Sequence, residues 1–360
     1  MKSHINFKIL QLMNRLSIFK YDLVSIILYL SLVSFGLVNI YSSSFNESSI
    51  NLFDVSSIVG KQVLFFFLSL IAFIFILFTR SRFFDNSAYI FYFFSIILLL
   101  GLFIFGVERG GAKSWYALGP ISFQPSELAK LGTALFLSKF LSIIQTDLKS
   151  NRDILIVFII ILIPLILTTI QPDPGSALIF LAFIFPVIRE GLNLNYFYFG
   201  LYIISTLLLT LKFNFLVCLA ILMIVFSAYL IYFRTKKIKI SLLKFLFSFF
   251  ILICISFSTN YLFENVLEQR HRDRINLVLG KEVDTSGIGY NINQSKIAIS
   301  NGGLFGTGFL EGTQTKGNFV PRQHTDFIFS TIGEEWGFIG TLTTIIIFSL
   351  LIIRIITRAD

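Results

Sequence analysis

One polar segment, residues 264–326, carries the side chains with the clearest chemistry in an otherwise apolar chain. Its first part is a run in which three arginines alternate with a histidine and an aspartate: Arg270, His271, Arg272, Asp273 and Arg274. Because guanidinium groups bind phosphate bidentately, this run suits the phosphate or pyrophosphate of an outer-leaflet lipid. The alternative is a solvated run of charges without a ligand.

Carboxylates follow the arginine run in the same segment. Glu282 and Asp284 lie close together, and Asp284 stands just before the glycine-containing stretch 286–290. An ordinary turn aspartate before glycine is the alternative for Asp284. His324 and Asp326 open the last apolar span. They belong either to a site or to a structural pair.

A second polar group lies farther upstream. It contains Lys113 and Trp115 and continues into Glu127 and Lys130, which follow a proline that suits the first turn of a helix. Glu127 and Lys130 are three residues apart and would share one helix face. A helix cap with a local ion pair is one interpretation. Ionisable groups within membrane spans are costly and usually functional, which favours the other.

A third polar position is Asp173, in the sequence Gln-Pro-Asp-Pro-Gly at 171–175. Proline and glycine together break a helix at this point. A capping or turn role for Asp173 stands beside a functional role. Two further acids, Glu334 and Glu335, lie inside the last span.

Composition defines the class of protein that must position these groups. The chain has 360 residues, of which 55% are hydrophobic and 14% are charged, whereas soluble domains carry about 25% charged residues. Recurring apolar runs are long enough to cross a hydrocarbon core of about 30 Å. The predicted fold class is therefore all-α. It is a polytopic helical membrane protein with about ten transmembrane helices and one large extracytoplasmic loop.

The spans are predicted near 22–42, 58–79, 87–106, 124–146, 153–170, 176–188, 196–212, 214–233, 241–263 and 324–354. Lysine and arginine in the short loops put both termini on the cytoplasmic side by the positive-inside rule. The segments 107–123, 171–175 and 264–323 then share the outer face. The net charge of +9 is explained by these loops and implies no nucleic-acid partner.

The residues alone indicate a membrane enzyme or a transporter for an anionic lipid, working at the outer leaflet. No Walker loop, no metal-spacing cluster and no serine nucleophile with a nearby histidine is evident in the sequence. The two cysteines, Cys218 and Cys254, lie in apolar spans and argue against a disulfide framework or a thiolate metal site.

Several short motifs, in order along residues 20–350, resemble the SEDS family (shape, elongation, division and sporulation). Within it the chain is most similar to the RodA, or elongation, branch. The motifs lie at 111–115, 124–130, 171–176, 272–275, 287–290, 294–299, 302–304, 312–314, 321–329 and 333–335. The Gly-Thr-Gln element at 312–314 is the one that favours the elongation branch over the division branch.

The resemblance implies a peptidoglycan glycosyltransferase that polymerises lipid II during cell elongation and maintenance of rod shape. It implies a single SEDS-type membrane domain over 1–360, in the bacterial cytoplasmic membrane with a cytoplasmic N-terminus. Asp284 matches the acid of the large loop that is expected to be catalytic, here as the general base. The matching substrate-binding positions are Lys113, Trp115, Glu127, Lys130, Asp173, Arg272, Arg274, Gln294, Lys296, His324 and Asp326.

The resemblance also implies partners: lipid II, a class B penicillin-binding protein transpeptidase and the elongation machinery. It assigns no cofactor or metal ligand with certainty and leaves a divalent cation open. The chain departs from the family pattern before Asp284, where an acid is missing, so Glu282 or Asp273 could share its role. Extra spans follow Asp173, and the family normally continues with further helices beyond Glu335, so a truncated copy is expected.

Two alternatives remain beside the enzyme. One is a flippase or transporter of the same lipid-linked precursor, which would place acids and broken helices at mid-membrane depth. The other is an inactive scaffold for a transpeptidase. Clustering of the polar groups at the outer boundary favours the enzyme.

Overall fold

The fold is an array of apolar helices, seen in a computed structural model. The structure describes residues 22–45, 57–109, 112–119, 121–143, 146–213, 215–235, 242–265, 267, 269–281 and 288–359. Six helices of this part of the chain are long and apolar enough to cross a membrane, and three shorter apolar helices accompany them. The predicted class, a polytopic helical membrane protein, is confirmed.

The helices, numbered along the chain, begin with α1 (Leu23–Ser43), α2 (Ile58–Phe78), α3 (Ser81–Phe105), α4 (Pro125–Leu141) and α5 (Asn151–Ile170). They continue with α6 (Pro174–Leu181), α7 (Ile184–Arg189), α8 (Leu194–Phe213), α9 (Phe215–Thr235) and α10 (Leu242–Asn265). The last are α11 (Gln269–Val278), α12 (Ile288–Asn301), α13 (Thr313–Lys316) and α14 (Ile328–Ala359). Three strands, β1 (Val107–Arg109), β2 (Ala112–Leu118) and β3 (Ile121–Phe123), separate α3 from α4.

Most predicted spans agree with helices, although α3 begins at Ser81 rather than near 87 and α4 ends at Leu141 rather than near 146. Three further regions differ. The span expected near 176–188 is two short helices, α6 and α7. The last span begins at Ile328 rather than near His324, because residues 321–327 form turns. The polar segment after α10 contains three helices of its own, α11, α12 and α13.

The strands form an antiparallel sheet in the order β1-β2-β3, which the sequence reasoning did not predict. Arg109 pairs with Ala112 and Leu118 pairs with Ile121, so each connection contains two residues. Such short connections favour glycine, and the sequence supplies Gly110-Gly111 and Gly119.

The chain divides into two compact units. The terminal unit comprises residues 1–74 with 273–360, and the central unit comprises residues 75–272. In the central unit a hydrophobic core is built from α3, α4, α5, α6 and α7, with Leu99, Leu102 and Phe180 fully buried. The single membrane domain predicted over 1–360 stays a prediction.

An ion-pair cluster joins the start of α1 to the end of α14 in the terminal unit. Asp22 caps α1 and accepts a hydrogen bond from the backbone N–H of Ser25 at 3.3 Å. The Nε of Arg354 lies 3.0 and 2.9 Å from the two Asp22 oxygens, and Arg358 lies 3.3 Å away. The side-chain hydrogen bond from Arg354, with that from Ser25, holds the pKa of Asp22 well below its usual value. The two helices are therefore fastened antiparallel at this end.

We expect Asp22→Asn to lower the melting temperature at pH 7, because it removes the cap and the charge that both arginines contact. The matched control is Asp85→Asn, since Asp85 is half exposed and makes one ion pair, with Lys139 at 3.0 Å. A depressed pKa means that the stabilisation is present above about pH 3.9, the ordinary aspartate value, and is lost as the pH falls below it. Equal melting temperatures for the two variants would contradict this role.

Candidate functional site

The last span of the terminal unit is a broken helix. Within α14, Gly337 has φ 65° and ψ −160°, a backbone conformation that is open essentially to glycine alone. The break leaves backbone N–H and C=O groups without their helical partners. The segment 303–308 forms hydrogen bonds with these groups instead. Four hydrogen bonds result: Thr307 N–H to Glu334 O (2.9 Å), Gly308 N–H to Glu335 O (3.2 Å), Phe338 N–H to Gly303 O (2.9 Å) and Ile339 N–H to Leu304 O (3.2 Å).

Close backbone contact accompanies these hydrogen bonds. A Cβ atom added to Gly302 would collide with the carbonyl oxygen of Gly333, and one added to Gly306 would collide with that of Glu335. Glycine at these positions allows the segment after α12 to lie directly on the backbone of α14. The family-like Gly-Gly element at 302–303 is therefore part of a backbone interlock.

Glu334 holds the Gly-Thr-Gln element. Its side chain is fully buried and accepts hydrogen bonds from the backbone N–H groups of Gln314 (2.7 Å) and Thr315 (2.8 Å) and from the Thr315 hydroxyl (2.6 Å). These N–H groups open the short helix α13 and have no partner within it. A Cβ at Gly312 would lie 2.7 Å from Glu334 Oε2, so the approach of the carboxylate requires glycine there.

Glu335 lies beside Glu334 but has different surroundings. It is 2% exposed, and its Oε1 accepts a hydrogen bond from the Ser42 hydroxyl of α1. Close by, Gln323 Nε2 donates to the carbonyl oxygens of Ser43 (2.9 Å) and Thr315 (2.8 Å). The C-terminal end of α1, the Gly-Thr-Gln turn and the broken helix are thereby tied into one polar cluster.

The remaining predicted residues of the terminal unit lie on its helices and turns. Gln294 is half buried and Lys296 is exposed on α12. Asp326 accepts a hydrogen bond from Arg322 at 3.3 Å, while His324 is half buried. The structure thus gives Asp326 an arginine partner. Asp284 and Glu282 lie outside the described residues, and so does the side chain of Arg274.

In the central unit, the structure brings two of the predicted groups together. Asp173 caps α6 and accepts hydrogen bonds from the Ser176 hydroxyl at 2.7 Å and from Gln124 Nε2 at 2.8 Å. Gln124 immediately precedes α4, so the starts of α4 and α6 meet at this carboxylate. Asp173 therefore has the capping role and joins two family-like motifs as well.

Glu127 and Lys130 form a local ion pair on α4, one of the two interpretations of their spacing, with an N–O distance of 2.8 Å. The Glu127 side chain is 60% exposed and that of Lys130 is 21% exposed, so the pair contributes little stability. Lys113 Nζ donates to the carbonyl oxygen of Phe103 at 2.9 Å, in the last turn of α3. Trp115 is half buried on β2, opposite Val107.

Arg272, on α11, donates from Nε to the carbonyl oxygen of Leu267 at 2.9 Å. The guanidinium group has further N–H donors on its two terminal amino groups, which suit a phosphate oxygen.

Sequence reasoning missed the residues of α1 that belong to the polar cluster around Glu335 and Gln323. Asn39, Ser42 and Ser43 are the buried residues of α1, and all three are polar. Their signal was polar residues spaced three and four apart near the end of an apolar span, which places them on one helix face. Gln323 was missed in the same way, although it lies beside His324 in a motif.

These features define a polytopic helical membrane protein whose terminal unit packs the polar segment 302–315 onto a broken helix. Residues 22–238 and 196–360 match the sequence model of a family described as cell cycle protein, FtsW/RodA/SpoVE. The chain therefore belongs to the FtsW/RodA/SpoVE family, the SEDS family that the motifs indicated.

Named relatives agree with this assignment. The chain is 30% identical over 276 residues to the peptidoglycan glycosyltransferase MrdB of Escherichia coli K12, covering 76% of this chain and 60% of that protein. It is 30% identical to the peptidoglycan glycosyltransferase RodA of Treponema pallidum, covering 89% of this chain and 78% of the relative. Stage V sporulation protein E of Bacillus subtilis is 29% identical, with 92% and 77% covered. The chain thus spans 60% of the length of the first of these relatives.

A solved structure has the same fold. It is described as a peptidoglycan synthase complex that coordinates polymerization and crosslinking, and it matches with a TM-score of 0.57 at 23% identity. The match covers 93% of this chain and 76% of the other. It supports the fold of the described helices.

We expect Glu334→Gln to loosen the turn at α13, because an amide group cannot accept hydrogen bonds at both of its terminal atoms. Trypsin should then cleave after Lys316 markedly faster than in the wild type, and mass spectrometry can identify the fragment. Glu311→Gln is the matched control, since Glu311 is an exposed carboxylate just before α13. Cleavage at the same rate in both variants would contradict the anchoring role of Glu334.

Proposed function

We propose that this chain is a peptidoglycan glycosyltransferase that polymerises lipid II during cell elongation. The observation that carries the proposal is family membership, because relatives from two bacteria are named peptidoglycan glycosyltransferases. The chain carries family-like motifs in both units; the buried Glu334 carboxylate holds one of them, and the helix cap at Asp173 holds another. Such fixed positions favour chemistry over a purely flexible binding surface.

In the proposed reaction, Asp284 accepts the proton of the acceptor sugar hydroxyl as that oxygen attacks the anomeric carbon of the donor. The bond from this carbon to the pyrophosphate oxygen breaks, and undecaprenyl pyrophosphate leaves with the bonding electrons. Attack from the opposite face converts the α-linkage of the lipid into a β-glycosidic bond. Asp273 or Glu282 could share the role of base.

Cations should contribute most to this step, because the leaving pyrophosphate concentrates negative charge. Our candidates are Lys113, Lys130, Arg272 and Arg274. Lys113 uses one of its three N–H donors in the hydrogen bond to the Phe103 carbonyl. Lys130 is paired with a largely exposed Glu127. Both ammonium groups can therefore turn toward a phosphate at small cost.

Trp115, Gln294, Lys296, His324 and Asp326 are proposed to bind the sugars and the headgroup, with Glu127 and Asp173. The family resemblance leaves a divalent cation open; such an ion would offset negative charge on the leaving pyrophosphate. The described residues contain no group of three His, Cys, Asp or Glu side chains suited to a metal, so the proposal assigns no ligands to such an ion.

The proposed setting is the bacterial cytoplasmic membrane, with the N-terminus inside and a class B penicillin-binding protein transpeptidase of the elongation machinery as partner. The orientation rests on lysine and arginine in the short loops. The partner rests on a similar structure that is described as a synthase complex joining polymerization to crosslinking.

A second candidate function is a flippase for the same lipid-linked precursor. The observation that favours it is the break in α14 at Gly337 beside two buried glutamates. Broken helices and buried acids line the substrate paths of many transporters.

The test uses the purified chain with labelled lipid II. We expect Asp284→Asn to reduce glycan polymer formation by about 100-fold or more, as for loss of a general base, while Glu311→Gln retains wild-type polymerisation. Wild-type polymerisation by Asp284→Asn would overturn the assignment of the base. Lipid movement across vesicles without polymer would favour the flippase. Transpeptidase binding with neither activity would indicate a scaffold.

A further inference from the structure

The buried interior of the terminal unit, where α1 meets α14, is unusually polar. The buried residues of α1 are Asn39, Ser42 and Ser43. On α14, Glu335 contacts Ser42, and Thr331 and Glu335 are 1% and 2% exposed. The outward faces of both helices are apolar. Buried polar and ionisable groups in membrane spans are expensive, so they are retained where they bind something.

Glu335 is the least compensated of these groups. Its Oε1 accepts a hydrogen bond from the neutral Ser42 hydroxyl, and its Oε2 is buried and accepts none of ordinary geometry from the described residues. The Glu334 carboxylate disfavours its negative charge, whereas the Leu310 N–H and the Lys316 ammonium favour it. Glu334 differs because hydrogen-bond donors occupy both of its oxygens.

A bare carboxylate in this place would be costly. Burying an ionised carboxylate without a paired positive charge costs several kcal/mol even after relaxation. Among the described residues, no lysine, arginine or histidine lies within ion-pair distance of Glu335, since the pairs found there join other residues. A small positive ion within the cluster would remove this cost.

The neighbouring oxygens suit such an ion. Asn39 Oδ1 and Thr331 Oγ1 are buried and have no hydrogen-bond partner in the described part of the chain. Asn39 stands three residues before Ser42 on α1, and Thr331 stands four residues before Glu335 on α14, so each shares a helix face with one member of the contacting pair. Amide, hydroxyl and carboxylate oxygens are the ligands of hard cations, and one carboxylate balances one positive charge.

We propose that Glu335, with Ser42, Asn39 and Thr331, forms a binding site for a monovalent cation, either Na⁺ or a proton. As Na⁺, the ion would take the carboxylate, hydroxyl and amide oxygens as ligands. As a proton, it would sit on Glu335 and be donated in a hydrogen bond to one of the unpartnered oxygens. The site is independent of the glycosyltransferase proposal, because its evidence lies wholly within the contact between α1 and α14.

The first measurement is thermal unfolding of the full chain in detergent, with Na⁺ titrated against K⁺ at constant ionic strength. If Na⁺ occupies the site, the melting temperature should rise by roughly 5 °C at about 100 times the dissociation constant. K⁺ should have a smaller effect because it is larger. Glu335→Gln should abolish the Na⁺ response, whereas the exposed-site control Glu311→Gln should retain it.

The second measurement separates the proton from Na⁺ by following the melting temperature from pH 5 to pH 9 without Na⁺. If a proton occupies the site, the wild type should lose stability with rising pH relative to Glu335→Gln, because the buried carboxyl group must then ionise. Glu334 and Lys316, which face Glu335, remain unchanged in this comparison.

Controls attribute each response to the site. If Glu335→Gln fails to fold, Ser42→Ala serves instead, and it should weaken Na⁺ binding about tenfold, as expected for the loss of one oxygen ligand. In the proton case, Ser42→Ala should alter the pH response of the wild type. The proposal is overturned if neither Na⁺ nor pH changes wild-type stability, or if the response survives in Glu335→Gln or is unaltered in Ser42→Ala. Lipid II polymerisation plays no part in these readouts, so the two proposals can fail separately.

Discussion

The terminal unit depends on how a broken membrane helix satisfies its backbone. In a membrane interior, each unpaired N–H or C=O group costs several kcal/mol, so non-helical backbone persists only where protein replaces the lost hydrogen bonds. At Gly337 the replacement comes from the segment 303–308, which meets both sides of the break. This segment therefore cannot behave as a free loop. The Gly-Thr-Gln element that follows it is held in a fixed position relative to α14.

The break also gives two adjacent glutamates opposite environments. Glu334 is saturated by the N–H and hydroxyl groups of the Gly-Thr-Gln turn, so its charge is spread over several donors and it acts as an anchor. Glu335 faces α1 and receives one neutral hydroxyl. The same helix thus contributes Glu334, which fixes a family-like motif, and Glu335, whose carboxylate has no ion-pair partner among the described residues.

Local signals predicted the helices and their starts from the sequence. Pro125 opens α4 as predicted. The cap at Asp173 and the pair of Glu127 with Lys130 were each one of two interpretations, and both effects operate within one helical turn. The hydropathy of each run was enough to establish the membrane class.

The contacts that build the site could not be predicted in this way. Ser42 and Glu335 are separated by 293 positions along the chain, and no local pattern indicates which helices become neighbours. The sheet at 107–123 was missed because its strands are short and were treated as polar loop, although Gly110-Gly111 between Arg109 and Ala112 is a hairpin signal. Asn39 was missed because one amide side chain does not prevent an apolar run from spanning a membrane, and so it gave no signal of its own.

The most direct test of the interlock is amide hydrogen exchange of the purified protein, measured at Thr307, Gly308, Phe338 and Ile339. We expect these four amides to exchange as slowly as the helical amides of α14 and to lose protection together, because one backbone arrangement holds them all. Rapid exchange at Thr307 and Gly308, at the rate of exposed backbone, would show that the segment does not dock on the broken helix and would contradict the account.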